Sequence, residues 1–170
     1  MSILSLTPGL ELPHPDNKVK GYKIFPDGSK YYGDLIAHGK GERIWKEGKH
    51  YIGDFDMDKM QGEGSTEWSS GQKHVGNYED DKAHGKGKSF FPDGRNYFGS
   101  FKAGKATGHG TYESAEGVKF LGNFVDGLAN GKGQLKFPDG AMYIGDFKDN
   151  NQHGKGYFSY ADGSKYTGEF

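Results

Sequence analysis

Three runs of His-Gly-Lys-Gly, at residues 38–41, 84–87 and 153–156, have the composition of a reactive site. Lysine between glycines suggests a loop that cradles phosphate, and the histidine suggests a metal ligand. A phosphate loop needs a strand, a Gly-rich turn ending in Lys-Ser or Lys-Thr, and a helix behind it. Neither the hydroxyl residue nor a helical stretch follows any of the runs. A metal ion needs its donors within about 2–2.5 Å. If the runs lie on strands, His38 and His84 are four strands apart, about 19 Å at ordinary strand spacing. Every polar type recurs in phase along the chain, so no Ser, His and Asp stand out as a triad. The residues predict no catalytic group, no metal and no cofactor.

The elements that carry these runs form a repeat. An aromatic (or His) followed two places later by Gly occurs at Tyr31/Gly33, Tyr51/Gly53, His74/Gly76, Tyr97/Gly99, Phe120/Gly122, Tyr143/Gly145 and Tyr166/Gly168. From Tyr51 to Tyr166 each step is 23 residues, and the first step, from Tyr31, is 20. Such a period is read before anything else because it decides the architecture. Tyr-x-Gly-x-Phe alternates with period two, which is a strand with one aromatic face. The segment after it, such as Gly62, Gly64, Thr66 and Trp68, is read by the same alternation. Turns then follow, such as Pro26-Asp27-Gly28 and Pro138-Asp139-Gly140, where Pro sets a negative φ and Gly supplies a positive one. Strand, short connection, strand, turn, repeated, predicts an all-β fold: one elongated, twisted antiparallel sheet of about fourteen strands. The expected organisation is a non-repeat extension over residues 1–20 and an array over 21–170 that ends within a repeat.

Composition agrees with a thin core. Of 170 residues 30 are Gly, only 32% are hydrophobic, and 15% are aromatic, so aliphatic side chains are scarce. There is no Cys, which excludes disulfides and zinc-thiolate sites and suits a reducing compartment. A formal net charge of −1 argues against a nucleic-acid binder. No apolar run reaches the ~18 residues of a membrane-spanning helix. The first twelve residues lack the basic and apolar regions of a secretory leader, and Ser2 does not fit a myristoylation signal.

Tyr-x-Gly-x-Phe, then Gly-x-Gly, then Asp-Gly, on a 23-residue step over residues 21–170, resembles the MORN (membrane occupation and recognition nexus) repeat. The resemblance implies a single-sheet array without enzymatic activity. Such arrays dock protein segments in cytoskeletal or ciliary assemblies such as the axoneme, so a cytoplasmic, cytoskeletal setting is implied. Two alternatives stay open: a phosphoinositide-membrane targeting module, and a regulatory subunit of an enzyme. The sequence departs from the pattern at His74 and Phe120, which replace Tyr, at Ser114, where other repeats have an aromatic, and in the short first repeat.

The aromatic face is the expected partner site, comprising Tyr51, Phe55, Trp68, Tyr78, Phe91, Tyr97, Phe101, Phe120, Phe124, Phe137, Tyr143, Phe147 and Tyr160, with His74 in the same row. These rings also fit the core of a one-layer sheet. Rings from neighbouring strands are expected over Gly53, Gly99 and Gly145. The opposite face carries a mostly apolar row, Tyr32, Ile52, Val75, Phe98, Leu121, Ile144 and Thr167, beside a polar or acidic row. It also carries the middle residues of Gly-x-Gly: Lys40, Glu63, Lys86, His109, Lys132 and Lys155. That last row reads as a lipid-phosphate stripe or as a solvated mixed-charge face. Residues 1–20, with Pro8, Pro13 and Pro15, read as a loose tail or a docking arm. The last strand, with Tyr166, Gly168 and Phe170, is a candidate pairing edge, for a homodimer or a foreign strand.

Overall fold

The computed structural model describes residues 20–34 and 38–170, and the expectations for the N-terminal extension lie outside them. Among the described residues the chain is all-β, and fourteen strands follow one another in chain order in an open antiparallel sheet. It divides into two compact units at Lys82/Ala83. The first holds β1 (Lys20–Ile24), β2 (Lys30–Asp34), β3 (His38–Ile44), β4 (His50–Asp56), β5 (Lys59–Glu67) and β6 (Lys73–Glu79). The second holds nearly all of β7 (Lys82–Phe90), then β8 (Asn96–Lys102), β9 (Lys105–Glu113), β10 (Lys119–Val125), β11 (Leu128–Lys136), β12 (Met142–Lys148), β13 (Asn151–Ser159) and β14 (Lys165–Glu169).

Two kinds of loop join the strands. At the Asp-Gly turns the Gly28 N–H donates to the Phe25 carbonyl at 2.9 Å, and the Phe25 N–H donates to the Ser29 carbonyl at 2.9 Å. This is a three-residue hairpin loop closed by a glycine at positive φ, and it repeats through Gly163. The other connection is a two-residue loop. Both of its residues have positive φ: 46° and 65° at Met57 and Asp58, 50° and 71° at Asp149 and Asn150. A tight turn of this hand matches the twist of the strands it joins.

A register slip accompanies the two-residue loop. Gly53 pairs with Gly64, but Phe55 pairs with Met60, so β5 carries extra residues against β4. Gly62, with φ 65°, turns towards the Asp54 side chain. Strict alternation had placed Gly62 on the aromatic face with Gly64, and the bulge removes it. The same slip occurs between β8 and β9, β10 and β11, and β12 and β13.

The bulge explains where the rings go. The Tyr51 hydroxyl donates to the Asp54 carbonyl at 2.9 Å, Tyr97 to Ser100 at 3.0 Å and Tyr143 to Asp146 at 2.9 Å. Each acceptor lies at or beside the slip, where the ladder is interrupted. The ring lies forward along its own strand, as does that of Phe120, which has no hydroxyl. Tyr97 therefore lies over Gly99 and over Gly99's cross-strand partner Gly110. The rings over Gly53, Gly99 and Gly145 come from their own strands, not from neighbours as expected. It is the partner glycines, Gly64, Gly110 and Gly156, that lie under a neighbouring strand's ring.

With the glycines bare, the rings pack on each other edge to face. In the second unit Tyr97 meets Phe101 and Phe124 at 5.1 and 5.0 Å, and Phe120 meets Phe124 and Phe147 at 5.2 and 4.8 Å. In the first, Tyr51 meets Phe55 and Tyr78 at 5.1 and 5.0 Å. Such pairs add about 0.5–1.5 kcal/mol each beyond burial. At the outer end of this face, Arg43 lies 3.9 Å from the Phe25 ring centre and 4.6 Å from that of Trp45.

His74 stands where other repeats have Tyr, and it is buried. Burial pushes its pKa from 6.5 down to about 4, because the charged ring would lose its hydration. Above pH 6.5 the ring is neutral in both states. As pH falls towards 4 only the unfolded chain takes up the proton, so stability declines in that window. The loss is at most roughly 3 kcal/mol. Urea denaturation at pH 7 and pH 4.5 will show it, and His74→Tyr will remove most of the difference. The glycine packing makes a second prediction. A Cβ at Gly99 would meet the Gly110 Cα at 2.8 Å, so Gly99→Val will destabilise by about 1–3 kcal/mol. Thermal melts against the exposed control Lys102→Ala measure this.

Candidate docking surface

The two faces of the sheet differ in what they leave open. Tyr51, Phe55, Tyr78, Tyr97, Phe101, Phe120, Phe124, Tyr143 and Phe147 of the expected site are buried, as is His74. Burial holds the Tyr51 hydroxyl far above the ordinary tyrosine range and raises that of Tyr78 to about 12. Trp68, Phe91 and Phe137 are half-buried, and Tyr160 is exposed. Most of the aromatic row is thus closed to a partner and serves as core. Phe170 packs on Tyr143 at 4.7 Å and on Tyr166 at 5.2 Å, and its backbone exchanges two hydrogen bonds with Gly154.

The large apolar side chains that remain exposed stand mainly on the opposite face. In the first unit Tyr32, Ile52 and Val75 do so. Register aligns them in one row with Tyr22, Glu42 and Ser65. In the second unit Phe98, Leu121 and Ile144 are 52%, 44% and 45% exposed. The row here reads Lys88, Phe98, Thr111, Leu121, Gln134, Ile144, Tyr157, Thr167, one residue per strand. These side chains point away from the core because each sits one position from a glycine that faces the rings.

A trough of about 720 Å³ lies along this row in the second unit. Its apolar side is Leu121, Ile144 and Tyr157, with Gln134 and Thr167 between them. Its floor is the backbone of Gly122, Gly133, Gly145, Gly156 and Gly168, and its far wall is His109, Lys132, Lys155 and Glu169. The wall shows why the lysine row is no plain cationic stripe. Lys132 pairs with Asp146 at 2.7 Å, and in the first unit Lys40 pairs with Asp54 at 2.8 Å. Both pairs are exposed, so each adds little to stability. The trough offers apolar contact, hydrogen-bonding groups and a charged margin, a combination suited to holding a chain segment.

Among the described residues no group of three His, Asp or Glu could hold a metal ion. His84 on β7 and His153 on β13 are six strands apart. The sequence had revealed the apolar row itself. It had not revealed that the rings close their own face and leave this one open, because alternation separates two faces without saying which is covered.

The MORN repeat model matches five consecutive stretches, residues 51–73, 74–94, 97–119, 120–142 and 143–165, together more than half of the chain. A comparison with curated proteins finds no match. Among solved structures, the chain is similar to the TCP10c domain of Drosophila melanogaster Sas-4, with 8% identity over 100% of both chains and a TM-score of 0.50. The SAS-4 (dCPAP) TCP domain in complex with a proline-rich motif of Ana2 (dSTIL), also of Drosophila melanogaster, shows 13% identity over 96% of this chain and 99% of that one, with a TM-score of 0.48. The G-box domain of the microcephaly protein CPAP shows 17% identity over 98% and 97%, with a TM-score of 0.48. At such identities the likeness is one of fold.

The exposed row is not core. Leu121→Ser and Ile144→Ser will therefore each change unfolding free energy by less than about 0.5 kcal/mol. Phe124→Ala, on the ring face, will cost about 3–5 kcal/mol. Urea denaturation of the three variants checks the assignment.

Proposed function

Because the chain belongs to the MORN repeat family, we propose that it is a non-catalytic adaptor whose sheet docks a segment of another protein. The observation that carries this is the open face. Phe98, Leu121 and Ile144 stay exposed in one row although the sheet has a complete ring-packed core on its other side. Aligned apolar side chains left in water mark a binding surface more often than single scattered ones do. The docking side is thus the face opposite the buried rings, with Trp68, Phe91, Phe137 and Tyr160 as the reachable part of the aromatic face.

A cytoskeletal setting, such as a ciliary or axonemal assembly, is the one the family resemblance favours. Attachment to phosphoinositide membranes is the rival reading. The pairing of Lys132 with Asp146 and of Lys40 with Asp54 weighs against it, since a carboxylate beside each lysine repels a phosphate.

Selection of a random peptide display library on the immobilised chain tests the proposal. Peptides will be enriched, and the double variant Leu121→Glu/Ile144→Glu will fail to retain them. Retention by the variant equal to that of the parent chain would contradict docking on this face. Co-sedimentation with phosphoinositide vesicles, abolished by reversing Lys86 and Lys132, would favour the membrane reading instead.

A further inference from the structure

The exposed row of the second unit, of which Leu121 and Ile144 line the trough and Phe98 lies beyond it, has a period, and the period selects the conformation of its occupant. Phe98, Leu121 and Ile144 lie on β8, β10 and β12, every second strand of the row. At ordinary strand spacing, neighbouring members of this series are about 9.4–9.8 Å apart. A segment lying along the row must present an apolar group on one side at that interval.

An α-helix covers this distance in roughly six and a half residues, so successive contacts rotate by about 80° around its axis. An extended strand covers it in about three residues, but an odd step turns the side chain to the other side. A polyproline II helix completes one turn in three residues of about 3.1 Å, or about 9.3 Å, and brings every third side chain back to the same side. Over three contacts its mismatch with the row stays below about 1 Å. It leaves its carbonyls unpaired within itself, and Thr111 and Gln134 stand between the apolar contacts to donate to them.

The margins add a charge preference. Lys119, Lys136 and Lys165 stand in the row on one side, and Lys132 and Lys155 on the other. Asp146 and Glu169 balance Lys132 and Lys155 on the second side, whereas on the first side Glu113 stands against three lysines, so the excess of cations lies there. We propose that the trough along Leu121 and Ile144 takes a proline-rich, acidic segment in polyproline II conformation, with an apolar residue at every third position. This rests on the docking reading given above.

Labelled peptides of equal length and negative charge test it on the whole chain by fluorescence anisotropy. One repeats Leu-Pro-Glu. A second has the same composition in scrambled order, a third is helical with leucine every seventh, and a fourth alternates apolar and polar residues, with two of every three polar residues acidic. The first will bind about tenfold or more tighter than each of the others. Leu121→Glu and Ile144→Glu will each weaken it by a similar factor, with circular dichroism unchanged, and added salt will weaken it further. If the helical or alternating peptide binds best and is lost in Ile144→Glu, docking stands and the polyproline II assignment is overturned. If no peptide responds to either variant, the docking reading falls and this inference with it.

Discussion

One tyrosine or phenylalanine ring lying across two paired glycines is the contact on which the rest of the structure depends. Tyr97 covers Gly99 and Gly110, Phe120 covers Gly122 and Gly133, and Tyr143 covers Gly145 and Gly156. Any side chain at those glycines would occupy the volume of the ring. Because the backbone is bare, the ring lies low, and the next ring can meet it edge to face. The result is a hydrophobic core one side chain deep, built on a sheet with no second layer on that side among the described residues. Gly in a strand costs roughly 0.5–1 kcal/mol against Ala, and each ring pair in contact offsets about that much.

The same contact decides which face can work. Rings that satisfy one another leave nothing for a partner, so the aromatic row is mostly closed. The face behind it has glycine backbone and a single line of apolar side chains, with lysines and carboxylates at its margins. Function in such a molecule lies in a surface with a repeat distance, not in a cluster of reactive groups. On the reading proposed above, an occupant is chosen by how its own period fits that distance. In the His-Gly-Lys-Gly runs Gly41 and Gly156 lie under the rings of Tyr31 and Tyr143, Gly154 takes a positive φ at the slip, and Lys155 stands at the margin of the trough.

Much of this was legible before the structure. The 23-residue phase of Tyr-x-Gly-x-Phe gave fourteen strands and their meander, and Pro-Asp-Gly marked one set of loops correctly. The second set was read only as a short connection, because Met57-Asp58, Asp80-Asp81 and Ala103-Gly104 share no one turn residue, although Asp126-Gly127 of the same set is a familiar tight-turn pair. The bulge at Gly62 was hidden for a related reason. In Gly-x-Gly both glycines look alike, yet Gly62 serves a positive φ and Gly64 serves the Tyr51 ring. The strand of origin of each ring depends on the ring lying forward along its own strand, as Phe120 does even without a hydroxyl, and alternation cannot show this. His74 shows the limit from the other side. Its type was noticed, but its burial and lowered pKa follow from the packing of the ring row around it.

The most direct test of the central contact is a double-mutant cycle between Tyr97 and Gly99. Tyr97→Leu alone removes the ring, and Gly99→Ala alone forces a Cβ against it. If the ring is what requires the glycine, the double variant will be more stable than the sum of the single losses by about 1 kcal/mol or more in urea denaturation. Strictly additive losses would mean that Gly99 is needed for some other reason, and the account of the fold would be wrong.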